Sequence, residues 1–431
     1  MQNTLSRVFE HFETISAIPH CSRQAEGLRD YLADFARERG YEVRVDAAGN
    51  ILARRGDPKL CLQAHYDMVC VGKAPEIEIV EDEGWLRAID SSLGADNGIA
   101  VAMMMALMDE GKELEFLWTA DEEVGLLGAK ALEMRLQSGA MLNLDNEEEG
   151  VVMIGCAGGV DLAAERSCEL VCDKRPLWRV SVSGLPGGHS GVDIDKGIPN
   201  ALKVLGQYLA EREVALVRLE GGERRNSIPV HAEALVRSSE ALEDEEAIRV
   251  ERVDEEADAS QEVLAQSQRL IRFLATAPHG VVEENSELAI PESSLNLARV
   301  EWGAQGCRVE YSLRAMSDPE LEALAERMEA LLGRYGFAVR REEGYPAWRP
   351  RRGPFVERIV TLLEKEFPRV SVRAIHAGLE CGVFAQKYPG MEMASIGPTI
   401  ENPHSIRERV KIDSIKRTFE ALERIVQDFS G

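Results

Sequence analysis

Short apolar strands alternate with helical segments over the first 150 residues, and the same alternation resumes near residue 345. LCLQA (60–64), LEFLWT (114–119) and AMLNLD (140–145) are each short, apolar and bounded by polar turns, the signature of buried strands. Between them LRDYLADFARERG (28–40) sets Leu28, Leu32 and Phe35 on one face and ends at Gly40, a C-terminal helix cap. NGIAVAMMMALMDEG (97–111) is an apolar helix stopped by Gly111, and a further helix is predicted over AKALEMRLQ (129–137). This βαβ order builds a parallel or mixed sheet with helices on both faces. Ligands of such sheets gather beyond the carboxyl ends of the strands.

After GCAGG (155–159) the pattern changes. RVSVSGL, ALVRLEG, AEALVRSS, LNLARVEW and RVEYSLRA alternate apolar and polar residues, as half-exposed strands do. Helices near 198–211, 260–275 and 318–335 separate them, predicting an α+β domain with helices covering one face of a sheet. The acidic run 240–258 reads as solvated surface. From about 345 the first pattern returns with a helix (354–367), the strand MEMASIG (391–397) and a closing amphipathic helix (412–429). The expectation is therefore one α/β domain, residues 1–159 and 343–431, interrupted by an inserted domain at 160–342.

At 431 residues the chain can bury two cores. Its formal net charge of -25 argues against nucleic acid and against an anionic membrane surface as partners. No apolar run reaches the ~18 residues of a membrane span, and the N-terminus patterns as an amphipathic helix rather than a secretory leader. Eight cysteines without a CxxC pair predict reduced thiols in a cytoplasm. Cys61 and Cys70, on either side of His65, read as buried filler.

The chemistry collects where strands end. His65 and Asp67 follow LCLQA; Asp96 lies in SSLGADNG before the apolar helix; Asp121, Glu122 and Glu123 follow LEFLWT; Asp145 follows AMLNL; His404 lies in PTIENPHS after MEMASIG. Adjacent carboxylates at a strand end are costly unless something neutralises them. A divalent metal does so, and a spare carboxylate beside it can act as the base for a bound water. Two imidazoles with several carboxylates form the N/O donor set that zinc, manganese or cobalt accepts.

The strings IPHCS (18–22), AHYDMVC (64–70), SLGADNGIAVA (92–102), TADEEVGLLGA (119–129), LNLDNEEEG (142–150), GLPGGHSGVDI (184–194), RRNSIP (224–229), AGLECG (377–382) and IGPTIENPHS (396–405) run in order along the chain. Together they resemble the co-catalytic zinc exopeptidases of the aminoacylase and carboxypeptidase G type, in particular the aminoacyl-histidine dipeptidase (peptidase D) branch. The resemblance implies a zinc-exopeptidase-like α/β catalytic domain with a mostly parallel mixed sheet. An inserted α+β lid, a ferredoxin-like sandwich that also serves dimerisation, would interrupt it. It implies two divalent ions per chain, zinc first, with manganese or cobalt as alternatives. His65 and Asp145 would hold one ion, Glu123 and His404 the other, and Asp96 would bridge them. Asp67 would orient His65, and Glu122 would be the general base. In the inserted domain His189 would donate to an oxyanion, and Asn226 and Arg314 would hold a substrate carboxylate. Glu380 would receive a free amine, while His20 reads as structural.

The expected activity is hydrolysis of unblocked dipeptides, Xaa-His or broader, by a cytoplasmic homodimer. Two other readings compete: an N-acyl-amino-acid amidohydrolase or carboxypeptidase on the same site, and a non-catalytic binding protein of the same fold. The last would have lost the base or a ligand, and Glu122 and all five ligand positions are present.

Overall fold

Leu60–His65, Glu115–Thr119 and Ala140–Asn143 are strands that lie side by side in parallel, and Glu392–Ser395 joins them in parallel beside Ala140–Asn143. The computed structural model describes residues 2–253, 261–342 and 344–429. These four strands form the centre of an eight-stranded mixed sheet. Glu42–Val45 and Ile51–Arg54 extend one side in antiparallel fashion, and Val151–Cys156 and Ser371–Ile375 lie on the other. Register matters more here than strand count. His65 pairs with Thr119, Gln63 with Asn143, and Asn143 with Ser395. The carboxyl ends of all four parallel strands therefore fall in one row, and the polar residues that follow them leave the sheet along the same edge.

The contacts divide the chain into two compact units. One comprises Met1–Gly155, Pro350–Ala374 and Leu379–Gly431; the other comprises Cys156–Arg349 and Ile375–Gly378. In the first, the apolar helix spans Ala95–Asp109, and every residue from Ala95 to Met108 is buried. Helix Gln2–Ser16 packs along it, as does Ile412–Phe429. A helix apolar all round has no solvent face to offer, and these neighbours enclose it. Helix Glu26–Glu38 buries Leu28, Leu32 and Phe35 and is followed by Gly40 at φ +80°, as its sequence requires.

The helix expected over 129–137 is reduced to Leu127–Ala131. The reason is a buried carboxylate. Glu115, fully enclosed, accepts the backbone N–H groups of Gln137 and Ser138 at 3.0 Å. Lys387 and Tyr388 donate to the carbonyls of Leu132 and Met134 at 2.8 and 2.6 Å. Side chains thus satisfy this backbone in place of a helical ladder, against its local propensity.

The second unit holds a nine-stranded sheet whose long hairpin, Ile290–Gly303 with Gly306–Ala315, lies between Ala215–Gly221 and Gly158–Arg166. Helices Ala201–Ala210, Ser267–Thr276 and Asp318–Arg334 pack against it. The predicted helix over 260–275 begins only at Ser267, because Glu262–Leu264 is a strand paired with Leu170–Cys172. Within the acidic run, Ile248–Val253 is an edge strand with mostly solvent-facing charges; residues 254–258 lie outside the described residues.

Four cysteines depart from the reduced-thiol expectation. Cys21 is bonded to Cys70, and Cys168 to Cys307, with Cα separations of 5.5 and 6.6 Å. No spacing pattern could reveal partners 49 and 139 residues apart. The first pair is brought together by tertiary structure, since Cys21 bridges in parallel with Met68. Outside these two disulfides, Cys61, Cys156 and Cys381 are buried and Cys172 is exposed.

Glu115→Ala should expose the cost of orphaning two backbone N–H donors, the buried one of Ser138 and the part-buried one of Gln137: a loss of about 2–4 kcal/mol in unfolding free energy, read by urea denaturation. A loss below about 0.5 kcal/mol, within the range of surface substitutions, would mean that water replaces the carboxylate.

Candidate metal centre

His65 is the last residue of its strand and is buried. Its Nδ1 lies 2.9 Å from the Asp67 main-chain carbonyl. A carbonyl can only accept, so in the neutral ring Nδ1 carries the proton and Nε2 keeps a free lone pair. That Nε2 faces Asp96 Oδ1 at 3.2 Å and Asp145 Oδ1 at 3.4 Å. His404 points its own Nε2 at the other oxygen of Asp96, Oδ2, at 3.1 Å, and at Glu123 Oε1 at 2.9 Å. One carboxylate is therefore shared between two imidazoles, each of which has a carboxylate of its own beyond it.

The local conformations that produce this are specific. Gly94 sits at φ +70° in the turn before Asp96, and a Cβ there would come within 2.9 Å of the Met68 sulfur. Asn97 donates to the Leu144 carbonyl at 3.0 Å, which sets the Asp96 turn beside Asp145. Gly397 passes so close to Asn146 that a Cβ would lie 1.7 Å from its carbonyl oxygen, so only glycine can start the loop to His404. In the acidic triplet, Asp121 takes φ +52° and accepts the Arg23 N–H at 2.5 Å, a turn residue rather than a ligand. Asp67 accepts the Glu122 N–H at 3.0 Å on one oxygen and the Ser22 hydroxyl at 2.8 Å on the other. The same aspartate, whose carbonyl fixes the His65 ring, thus fixes the Glu122 backbone.

Electrostatics tests whether cations fit. Burial would raise the Asp96 carboxyl, but the His404 and His65 imidazoles override it and hold it far below the usual range. Burial lifts Glu122 well above the usual carboxylate value, helped by Asp145 and Glu123 and opposed by His65. Burial also lifts Glu123, to about 7, and Asp145. Burial works to lower His404, and the Asp96 and Glu123 carboxylates override it, to about 11. The cluster carries more carboxylates than imidazoles and retains protons to offset them. Divalent ions would take the place of those protons. Ligand atoms of His65, Asp96 and Asp145, and of Asp96, Glu123 and His404, lie within 4.8 Å of one another, so the donor set fits two ions sharing Asp96.

A family model described as Peptidase family M20/M25/M40 matches residues 61–428. The chain belongs to that family. It is similar to the cytosol non-specific dipeptidase of Escherichia coli strain K12, at 32% identity over 472 aligned positions that cover 98% of this chain and 97% of the relative. The crystal structure of aminoacylhistidine dipeptidase from Vibrio alginolyticus superposes with a TM-score of 0.82 at 29% identity, covering 98% of this chain and 96% of that one. The dipeptidase Dug1p of Saccharomyces cerevisiae shares the fold, with a TM-score of 0.55 at 14% identity over 100% of this chain and 98% of that one.

Of the residues singled out in this M20/M25/M40 chain, His65, Asp67, Asp96, Glu122, Glu123, Asp145 and His404 meet in the first unit. Glu380 lies there too, fully buried. Its Oε2 accepts from Gln63 and Thr119 at 2.5 and 2.8 Å, and Oε1 has no protein partner. Burial raises it to about 8. His20 is buried, with its carbonyl accepting the Met68 N–H at 3.1 Å.

His189, Asn226 and Arg314 belong to the second unit. Gly188–His189 pairs with Ser227–Ile228, and the Asn226 carbonyl accepts the Ser190 N–H at 2.8 Å. A Cβ on Gly191 would lie 3.1 Å from His189 Cε1 and 3.2 Å from Arg314 Nε, so His189 and Arg314 flank that glycine. Arg314 is 6% exposed, holds the Tyr345 hydroxyl, and leaves Nε without a protein acceptor. Sequence reasoning missed Ser22, Gln63, Thr119 and Tyr345, which brace these groups. Only Gln63, a polar residue within an apolar strand, carried a local signal.

If Asp96 is shared, Asp96→Ala should abolish uptake of both metal ions, whereas Asp145→Ala should spare one. Elemental analysis after dialysis against zinc measures this directly; equal losses for the two variants would refute sharing.

Proposed function

We propose that this chain is a dinuclear-metal aminodipeptidase that hydrolyses the peptide bond of unblocked dipeptides, Xaa-His or broader. The observation that carries the reading is the Asp96 carboxylate divided between His65 and His404, with a Glu122 carboxyl oxygen within 4.8 Å of His65 and Glu123 ligand atoms and the Glu122 backbone held by Asp67. The Escherichia coli and Vibrio alginolyticus relatives are both dipeptidases, which supports the substrate class. The Escherichia coli relative is a cytosol dipeptidase, which supports a cytoplasmic setting. Among the described residues no helix is long and apolar enough to cross a membrane.

In this reading His65 and Asp145 would hold one ion, Glu123 and His404 the other, and Asp96 would serve both. Bound there, two divalent ions, zinc in first place, would bring a water's pKa toward neutrality and polarise the scissile carbonyl. Glu122 would be the group that accepts a proton from the attacking water. The same carboxyl would return that proton to the leaving amine. Glu123, next in sequence, is engaged by His404, so the two glutamates divide the labour of ligand and base.

His189 Nδ1 accepts the N–H groups of Gly191 and Val192 at 3.2 and 3.3 Å. An accepting Nδ1 leaves the proton on Nε2, the tautomer that can donate to an oxyanion. Arg314, a buried cation with an unmet N–H, supplies the seat for a substrate carboxylate, and Asn226 a neutral donor beside His189. The free Oε1 of Glu380 supplies an acceptor for a substrate ammonium, and that choice separates an aminodipeptidase from an N-acyl hydrolase.

Glu122→Gln should keep both metals, because the residue is not a ligand, yet lower kcat by about 10²–10⁴-fold, the usual contribution of a general base. Stopped assays with zinc, manganese or cobalt added read this, and wild-type turnover in the variant would remove Glu122 as base. A panel of free and N-acetylated dipeptides should be cleaved only in its free members. Glu380→Gln should raise KM for these more than it lowers kcat; preference for acetylated substrates would overturn the aminodipeptidase reading.

A further inference from the structure

Glu408 has no part in the chemistry above, yet it is 2% exposed and close to a cluster already rich in negative charge. Burying another carboxylate there is unfavourable unless its oxygens are met. Among the described residues no cation pairs with it. Its partners are backbone groups: the N–H of Leu93 at 2.7 Å and of Gly94 at 3.0 Å on Oε2, and the N–H of Asp96 at 3.2 Å on Oε1. Three N–H groups of one turn, opened by Gly94 at φ +70°, converge as a backbone nest does around an anion.

The other end of Glu408 matters equally. Its own N–H donates to the Ser405 carbonyl at 3.1 Å, closing the turn that follows His404. Asn402 and His404, just before that turn, stand at φ +52° and +58°. The Ser405 hydroxyl braces it further, donating to the Asn402 carbonyl at 2.8 Å and accepting the Arg407 N–H at 3.1 Å. One side chain therefore fastens the turn that presents Asp96 to the loop that presents His404, segments more than 300 residues apart in sequence. The Asp96 turn is anchored in addition by Ser92, whose hydroxyl donates to the Val69 carbonyl at 2.7 Å and accepts the Val71 N–H at 3.1 Å.

We propose that Glu408 is a positioning residue that sets the spacing of Asp96 and His404 and thereby controls metal occupancy on the His404 side of the centre. This rests on the reading of Asp96 and His404 as ligands. A carboxylate is needed because both of its oxygens must accept; an amide offers one acceptor and turns two N–H donors toward the nest.

The test is zinc uptake by metal-stripped full-length protein, followed by calorimetry and by elemental analysis after dialysis. Glu408→Gln should fold, keep one zinc ion near wild-type affinity, and bind the second about 10–100-fold more weakly, the usual effect of losing a partner that orients a ligand. Glu115→Ala is the control for a merely structural role. It too disrupts a buried carboxylate held by backbone N–H groups, and it should lose stability while binding two zinc ions as the wild type does. Wild-type zinc binding in Glu408→Gln would overturn the proposal, and so would equal weakening in Glu115→Ala. If Glu408→Gln does not fold, Glu408→Asp carries the same test, since its charge is kept but withdrawn by one methylene. A wild type that takes up no zinc would bring down the metal reading itself, an outcome distinct from two ions bound equally well with and without Glu408.

Discussion

The Asp96 carboxylate, with one oxygen toward His65 and the other toward His404, is the contact on which the rest of this molecule's site depends. A carboxylate shared in that way must be buried, ionised and aimed within a few tenths of an ångström. None of these comes free in a protein interior. Burial is supplied by the apolar helix that begins at Ala95 and by the two helices packed along it. Ionisation is supplied by the imidazoles, which override burial. Aim is supplied by a turn fastened on three sides: to the Val69–Val71 segment through Ser92, to Leu144 through Asn97, and to the His404 loop through Glu408.

A second row of interactions explains how neighbouring residues with the same side chain come to differ. Glu122 and Glu123 share a turn, but Asp67 grips the Glu122 backbone while His404 meets the Glu123 carboxylate. Beneath them, inside the sheet, Gln63 donates to Glu380 and accepts from Asn143 at 2.5 Å, so polar side chains link two parallel strands to the helix Glu380–Lys387. That network fixes one oxygen of Glu380 and leaves the other free. Partial satisfaction of this kind is expensive in a core built only for stability, which is the ground for proposing Glu380 as the acceptor for a substrate ammonium.

Much of this was legible in the chain. Strands with continuous apolar runs, glycine stops and polar residues just past strand ends follow from local rules, and they placed all five ligand candidates and Glu122 on one sheet edge. Legibility failed where a distant partner replaced a local one. The segment 129–137 has a helical sequence, but Glu115 captures its N–H groups. Cys21 and Cys70 look like unrelated thiols until the His20–Ser22 segment lies against Met68. Arg314 could have been a solvated strand residue, and only its enclosure against Tyr345 makes it a buried cation. Glu408 carried no signal, because its partners are backbone amides and have no sequence identity to read.

What the sequence by itself determined was the set of donors and the edge on which they gather, because strand periodicity, helix punctuation and residue chemistry are local properties. Tertiary structure alone decided which oxygen faces which nitrogen. It turned His65 by a carbonyl two residues away, split Asp96 between imidazoles from opposite ends of the chain, and assigned Glu122 and Glu123 different neighbours. Those outcomes depend on distances between segments hundreds of residues apart, and such distances exist only once the sheet has set its register and the loops beyond it have been fastened to one another.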